Sequence, residues 1–301
     1  SAVYAAKHRG RGCVELFDAD LQQQIVRDAE IEIALRDAVR SNELELDLQP
    51  VYDVASGRFA AAEALVRWNR PGIGRVPPDD FIPIAERSSL INEIGRWVLE
   101  QACLTLARWS RDPALDDVRI AVNVAGSHLL DGDLVADLDA AIGRTGADAG
   151  LLEFELTETQ LVEDHQRAAA VLCELRRRGP LVAIDDFGTG YSSMAYLREL
   201  PIDILKIDGS FVTLLTASDS ETIVLDALVT IGHSLGLAVV AEGIEQASQV
   251  DDLLARGCDR LQGFHLARPM PVAEAELWLT VPPAWFEHPR TVPAVVSATR
   301  C

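Results

Sequence analysis

Two adjacent carboxylates, Asp185 and Asp186, follow the apolar residues 181–184 and precede a glycine-bearing loop at residues 188–193. A short continuous apolar run is typical of a strand that is buried on both faces. Because side chains alternate along a regular strand, the two carboxylates should lie where the strand ends. Two carboxylates this close repel each other unless a cation lies between them, so the pair predicts a divalent metal site. The alternative from these residues alone is that Asp186 only caps the loop that follows.

Eight strand candidates, most of them separated by amphipathic helical stretches, would position further polar residues in the same way. Repeated alternation of strand and helix predicts a mostly parallel sheet with helices outside it, and eight strands suggest closure into a barrel. The first two candidates are joined by a turn sequence and should form a hairpin. The candidates are residues 44–52, 59–68, 118–124, 151–156, 181–185, 202–207, 237–241 and 260–263.

Polar residues follow the apolar part of strand candidates two to eight. In a barrel the carboxyl ends of the strands converge on one face, where barrel enzymes carry their chemistry. These strand-end residues are Glu63, Asn123, Glu155, Glu158, Asp185, Asp186, Lys206, Asp208, Glu242, Glu245 and Gln262. An oxygen-rich set among them contains no cysteine or histidine and selects a hard cation such as Mg²⁺ or Mn²⁺: Glu63, Asn123, Glu155, Asp185 and Asp186.

An excess of acidic residues limits the class of partner. The chain has 27 Lys and Arg against 47 Asp and Glu, a net charge of −20. Such a charge argues against a general nucleic-acid or anionic membrane surface, and a phosphate-bearing substrate would need metal ions or a local basic cluster. The five scattered cysteines indicate reduced thiols and a cytoplasmic location for this segment.

The motifs resemble the EAL domain, the family of cyclic di-GMP phosphodiesterases, over about residues 20–280. The signature triplet is Glu63-Ala64-Leu65, and residues 185–193 reproduce the DDFGTGYSS loop of the family. The resemblance implies a (β/α)8 TIM-type barrel, an α/β fold, whose first strand runs antiparallel to the others. Further matching segments are Leu48-Gln49-Pro50-Val51, Val122-Asn123-Val124, Glu155-Leu156-Thr157-Glu158, Leu205-Lys206-Ile207-Asp208, residues 241–245 and Gln262-Gly263-Phe264.

The resemblance also implies a reaction, the metal-dependent hydrolysis of cyclic di-GMP to linear pGpG with two Mg²⁺ or Mn²⁺ ions. Glu63, Asn123, Glu155 and Asp185 are expected to hold one ion. Asp185 would bridge to a second ion, which Asp186 also binds.

Other residues receive roles in catalysis and substrate binding. Lys206 is expected beside the attacking water or a phosphate oxygen, and Glu242 is expected to orient that water, as a candidate general base. Glu158 would hold the loop after Asp186, although it could also be a surface residue that starts a helix. Substrate contacts are expected from Gln49, Leu65, Arg67 and Gln262, with Arg67 clamping a phosphate.

Residues 1–17 resemble the end of a GGDEF domain, the diguanylate cyclase family, although a basic linker is the alternative. The matching segments are Tyr4-Ala5-Ala6-Lys7, Gly10-Arg11-Gly12 and Val14-Glu15-Leu16-Phe17. We therefore expect a GGDEF remnant at residues 1–17, a connecting helix at 18–40, the EAL barrel at 41–282 and an irregular tail at 283–301. A neighbouring GGDEF domain in a longer chain and a homodimer are the expected partners.

Two other functions compete with hydrolysis. A catalytically silent cyclic di-GMP receptor would keep the pocket but lose a catalytic residue, whereas each motif position here carries the catalytic residue type. A Mg²⁺-dependent barrel of the enolase type would need a Lys/His base pair with three carboxylates and would not need the loop at residues 185–193.

Overall fold

The chain is divided into two compact units. One comprises Ser1–Glu45 and Arg67–Ile91, and the other comprises Leu46–Val66 and Asn92–Cys301. The computed structural model describes residues 19–162, 164–189, 198–213, 215 and 219–280. The predicted GGDEF remnant at residues 1–17 and the predicted tail at 283–301 lie outside the described residues.

Helices and strands alternate along the described part of the chain. The helices are α1 Ala19–Ala38, α2 Pro78–Arg87, α3 Leu90–Trp109, α4 Gly126–Leu130, α5 Leu134–Thr145, α6 Glu158–Val162, α7 His165–Arg176, α8 Gly209–Thr213, α9 Asp219–Ser234, α10 Ala247–Arg256 and α11 Val272–Leu279. The strands are β1 Leu44–Asp53, β2 Arg58–Arg70, β3 Gly74–Val76, β4 Arg119–Asn123, β5 Leu152–Thr157, β6 Leu181–Phe187, β7 Ile204–Ile207, β8 Ala238–Ala241, β9 Arg260–Leu261 and β10 Met270–Pro271. Among these helices, none is long and apolar enough to cross a membrane.

Eight strands close into a barrel in the larger unit. Their order is β1-β9-β8-β7-β6-β5-β4-β2, and pairing of β1 with β2 closes the ring. Neighbouring strands from β2 round to β9 are parallel, whereas β1 runs antiparallel to both of its neighbours in the ring. The predicted barrel with an antiparallel first strand is therefore confirmed. The short strands β3 and β10, which we did not predict, extend β2 and β1 outside the ring.

Small and branched apolar side chains fill the barrel interior. A buried cluster joins Val51, Ala61, Ala183, Ile204 and Val240 from five different strands. Since helices cover the outside of a parallel barrel, its strands are buried on both faces, and β7 is buried at all four positions. This rigid layer supports the strand ends at which the polar residues lie.

A buried ion pair closes the amino-terminal end of the barrel. Glu153 lies near the start of β5, and its two carboxylate oxygens accept hydrogen bonds from Arg260 Nη1 at 2.9 and 3.0 Å. Arg119 Nε lies 3.7 Å from the same carboxylate. Because the charges at this end are paired, we interpret them as structural.

The smaller unit has its own core and its own ion pairs. Helix α1 buries Leu35, and Trp68 packs edge-on against Phe81 with ring centroids 5.6 Å apart. Two ion pairs join α1 to the α2 segment, Arg27 with Asp80 at 2.9 Å and Arg87 with Asp28 at 2.7 Å. Helix α1 occupies most of the range predicted for the connecting helix, and its connecting role stays a prediction.

The long amphipathic stretch of residues 81–110 lies mostly in two helices. The structure has α2 and α3 with a break at Ser88 and Ser89. Ser89 has a φ of 62°, in the left-handed region that ends an α-helix. Ser88 Oγ donates to Ile84 O at 2.8 Å, which satisfies a carbonyl at the end of α2. Apolar periodicity does not reveal a break that a single residue's backbone makes.

Candidate active site

An irregularity in β6 brings Asp185 and Asp186 to the carboxyl end of the barrel together. The register between β6 and β7 shifts between Ile184 and Phe187, where β6 contains one extra residue. Asp186 adopts a left-handed φ of 53°, which Asp tolerates better than most residues, and its N–H donates to Asp185 Oδ1 at 2.9 Å. A bulge of this kind interrupts the alternation of side chains, so adjacent carboxylates can serve one site.

Lys206 lies at the centre of the carboxylates. Its Nζ is 2.7 Å from Glu242 Oε1, 2.8 Å from Glu155 Oε1, 3.4 Å from Asp185 Oδ1 and 3.9 Å from Glu63 Oε2. These carboxylates come from β2, β5, β6 and the residue after β8, so four parts of the barrel rim converge on the ammonium group that β7 supplies. The side chain of Lys206 is only 3% exposed.

Amide side chains fix the orientation of Glu63. Its Oε1 accepts a hydrogen bond from Asn123 Nδ2, and its Oε2 accepts one from Gln262 Nε2, both at 2.7 Å. Gln262 Nε2 also lies 3.3 Å from Gln49 Oε1, and Gln49 Nε2 donates to Ala267 O at 3.1 Å. Asn123 is opposite Glu155 in the pairing of β4 with β5. The geometry therefore brings the four predicted ligands of the first metal ion to one place.

Burial and mutual repulsion perturb the acidic groups. Burial raises the pKa of Glu155 well above its usual range, although Lys206 opposes this shift. Burial raises the pKa of Glu242 to about 8, again against the effect of Lys206, and Asp185 adds to the increase. Burial and Asp185 raise the pKa of Asp186. Burial would lower the pKa of Lys206, but the carboxylates of Glu155 and Glu242 outweigh it and raise this pKa well above its usual range. The site thus holds more acidic groups than its single lysine can neutralise.

The donor set fits a hard divalent cation. Oxygen atoms of Asp185, Asp186 and Glu242 lie within 4.8 Å of one another, close enough to share an ion. Glu155 Oε2 is buried, and it has no hydrogen-bonding partner among the described residues. Carboxylate and amide oxygens are the ligands that Mg²⁺ and Mn²⁺ prefer. The acidic cluster is therefore a possible metal site, and Glu242, which we predicted only as a water-orienting residue, lies close enough to be a further ligand.

A pocket of about 300 Å³ opens beside the carboxylates. The predicted substrate contacts Gln49 and Gln262 line this pocket, together with Glu63 and Glu242. Leu65 is half-buried on β2, and Arg67 falls in the smaller unit. The substrate contacts of these four predicted residues stay predictions.

Glu158 is buried at the start of α6. Its Oε2 accepts a hydrogen bond from Gly188 N at 3.4 Å, so the carboxylate faces the beginning of the loop after Asp186. Thr189 Oγ1 donates to Asp186 O at 2.8 Å and closes the same turn. The rest of the predicted loop, residues 190–193, lies outside the described residues, and the role of Glu158 stays a prediction.

Sequence reasoning did not assign a role to several residues at this end of the barrel. Gly243, Glu245, Gly263 and Phe264 complete the lining of the pocket, and the guanidinium of Arg268 lies 4.5 Å from the ring centroid of Phe264. Glu245 follows the seventh strand candidate, which is β8 of the structure, and this place after a strand was the signal that could have indicated it as a pocket residue. No pattern in the sequence indicated Phe264 as a pocket residue apart from its place beside Gln262.

We expect the metal-free protein to lose thermal stability as the pH rises from about 5 to about 8. Burial holds the pKa of Glu242 at about 8 in the folded chain, so within this window the folded state keeps a proton that the unfolded state releases. Folding therefore becomes less favourable with rising pH, and the melting temperature should fall by roughly 5 °C. Lys206 stays protonated throughout, because its pKa is raised.

Scanning calorimetry with EDTA and with MnCl₂ over this pH range measures the effect. A divalent cation favours the ionised carboxylates, so Mn²⁺ should remove most of the decrease. A melting temperature of the metal-free protein that is constant or increases between these pH values would contradict the predicted linkage.

Comparison with known proteins identifies the family. The family model described as "EAL domain" matches residues 32–269. Cyclic di-GMP phosphodiesterase NbdA of Pseudomonas aeruginosa is 38% identical over 278 residues, which cover 92% of this chain and 35% of NbdA. Bifunctional diguanylate cyclase/cyclic di-GMP phosphodiesterase MucR of the same bacterium is 36% identical over 274 residues, which cover 91% of this chain and 40% of MucR.

The solved structure of the PaMucR phosphodiesterase in complex with cyclic di-GMP is similar over the barrel. It is 36% identical, has a TM-score of 0.78, and the match covers 82% of this chain and 99% of that one. The chain thus matches a whole solved phosphodiesterase domain, but it spans less than half the length of the two curated relatives. On the family match, and with the acidic rim that the structure assembles, the chain belongs to the EAL domain family and is related to cyclic di-GMP phosphodiesterases.

Proposed function

We propose that this chain hydrolyses cyclic di-GMP to linear pGpG. The observation that carries the proposal is the convergence of carboxylates on Lys206 beside an open pocket, in a chain related to cyclic di-GMP phosphodiesterases. One phosphodiester bond would be cleaved: a water oxygen bonds to phosphorus, the bond to one ribose oxygen breaks, and that oxygen takes up a proton.

Two divalent cations would be held by the acidic rim. We propose Glu63, Asn123, Glu155 and Asp185 for one ion, and Asp185 with Asp186 for the second. When bound, Mg²⁺ or Mn²⁺ supplies positive charge for the phosphate and lowers the pKa of a bound water.

The chain's own groups would orient the reactants. Lys206 Nζ is fixed by Glu155 and Glu242 at 2.8 and 2.7 Å, so its charge is available for a phosphate oxygen at a defined position. The Glu242 carboxylate lies at the pocket and would orient the water and accept its proton. Gln49, Leu65, Arg67 and Gln262 would contact the nucleotide, and Glu158 would hold the turn at Gly188.

Product analysis tests the proposal directly. The purified chain is incubated with cyclic di-GMP and either Mg²⁺ or Mn²⁺, and the nucleotides are separated by chromatography. We expect pGpG from the wild type and none from Glu63→Ala, because this change removes the carboxylate that Asn123 and Gln262 orient. Tight binding of cyclic di-GMP without pGpG under both metals would show a receptor instead. An unchanged rate in Glu63→Ala would show that the ligand assignment is wrong.

The context of the chain is a further part of the proposal. We propose that residues 1–17 end a GGDEF domain and that residues 18–40 connect it to the barrel at 41–282. In support, MucR, which this chain spans only in part, is described as bifunctional, with diguanylate cyclase activity as well. Pairing of the barrel with a second copy and a cytoplasmic location are proposed from the family resemblance and from the scattered cysteines.

A further inference from the structure

The loop that carries Glu242 is held to a neighbouring helix by a side chain that has no assigned role. This Glu242 loop, residues 242–246, joins β8 to α10 and supplies Glu242, Gly243 and Glu245 to the pocket. Four of its five residues are half-buried or exposed, so the barrel core does not fix their positions by packing alone. Polar contacts and close backbone packing must therefore hold the loop.

Gln249 supplies such polar contacts. It lies in the first turn of α10, is 2% exposed, and its Oε1 accepts hydrogen bonds from Glu245 N and Gln246 N, both at 2.9 Å. Its Nε2 donates to Val212 O at 3.2 Å. Since one amide group both accepts and donates, the side chain links the Glu242 loop to α8. Helix α8 begins three residues after Lys206. The link therefore connects the segment that follows Lys206 to the loop that carries Glu242, and these two side chains form the shortest ion pair of Lys206, at 2.7 Å.

Close backbone packing joins the same two segments. A Cβ atom on Gly209, the first residue of α8, would lie 3.0 Å from Gly243 Cα. Gly243 has a φ of +69°, a conformation that residues with a Cβ atom rarely adopt. The start of α8 and the Glu242 loop can therefore approach each other only because both positions are glycine.

We propose that Gln249 is a positioning residue, which ties the Glu242 loop to α8 and so fixes the Glu242 carboxylate against Lys206. The catalytic consequence rests on the proposed function, whereas the link itself does not. A residue that only capped α10 would need its two bonds to the loop and not the bond to Val212. The contact with Val212 distinguishes the two roles.

Hydrogen–deuterium exchange and steady-state kinetics of Gln249→Met test the proposal. Methionine is of similar length but neither accepts nor donates these hydrogen bonds. Asp133→Ala is the matched control, because Asp133 caps α5 by accepting from Ala136 N at 3.2 Å and makes no contact with the Glu242 loop among the described residues. Both variants lose a helix cap, so both should melt earlier than the wild type.

Only the positioning role predicts further changes in Gln249→Met. Exchange in the peptide covering residues 205–213 should rise, and kcat for cyclic di-GMP should fall about tenfold or more while KM changes by less than about twofold. Asp133→Ala should show neither change. Exchange that rises only at the start of α10, with kcat as in Asp133→Ala, would overturn the proposal and leave Gln249 as a helix cap.

A second variant keeps the test decisive if Gln249→Met does not fold. Gln249→Glu keeps the acceptor for Glu245 N and Gln246 N but cannot donate to Val212 O, so it should lower kcat with little change in KM. A wild-type kcat in this variant would count against the proposal. If the wild type binds cyclic di-GMP without cleaving it, the proposed function fails, and the exchange at residues 205–213 still decides the role of Gln249.

Discussion

Replacing Glu155 with glutamine should lower the rate of cyclic di-GMP hydrolysis by roughly 10³-fold. Glu155 is 3% exposed, and its Oε1 lies 2.8 Å from Lys206 Nζ. An amide of the same shape removes one negative charge from the proposed metal site. It also places either a neutral oxygen or an N–H donor against the ammonium group. Both effects weaken the binding of a divalent cation and disturb the position of Lys206.

The same strand provides the matched control, Glu153→Gln. Glu153 is also 3% exposed, two residues away on β5, but it is paired with Arg260 at the other end of the barrel. This substitution removes the closest anionic partner of Arg260 and leaves it with Asp53 at 3.9 Å, so it should lower the melting temperature, while the folded enzyme keeps its kcat. Chromatographic assay of pGpG, with the folded fraction measured by circular dichroism, compares the two variants. Equal rates in the two variants would show that Glu155 is not part of the reaction centre.

The second large effect is a loss of thermal stability in Lys206→Met. Lys206 lies within 4 Å of four carboxylates, and methionine would leave these groups without their buried cation. Removing one partner of a buried ion pair costs about 3–5 kcal/mol, which corresponds to a decrease in melting temperature of roughly 10 °C. Thermal unfolding in EDTA at pH 8 measures it.

Addition of Mn²⁺ is the internal control for this prediction. If the carboxylates form a metal site, the cation should restore more stability to Lys206→Met than it adds to the wild type, since it replaces the missing positive charge. A variant that unfolds at the wild-type temperature in EDTA would show that the ion pairs of Lys206 contribute nothing to folding. Only two of the 27 Lys and Arg residues in the chain are lysines, Lys7 and Lys206, so the choice of lysine at this position is specific to the site.

Much of the candidate site could be predicted because strand periodicity and residue type together restrict position. Glu63, Asn123, Glu155 and Lys206 each follow or end an apolar strand, and parallel strands in a barrel place such ends on one face. The structure brings these four residues together. Glu242 was predicted to orient water, but its closeness to Asp185 and Asp186 depends on the path of the loop after β8, which the motif match at residues 241–245 does not specify.

The sequence by itself determined the barrel, its antiparallel first strand and the acidic character of the rim. The barrel follows from short apolar runs that alternate with amphipathic helical stretches, and the antiparallel first strand follows from motifs that can be recognised without coordinates. The tertiary structure alone decided how adjacent Asp185 and Asp186 serve one site, because this requires one extra residue in β6 relative to β7 and a left-handed φ at Asp186. It also decided that Gln249 contacts Val212, since a hydrogen bond between residues 37 positions apart depends on how β7 and β8 pack side by side.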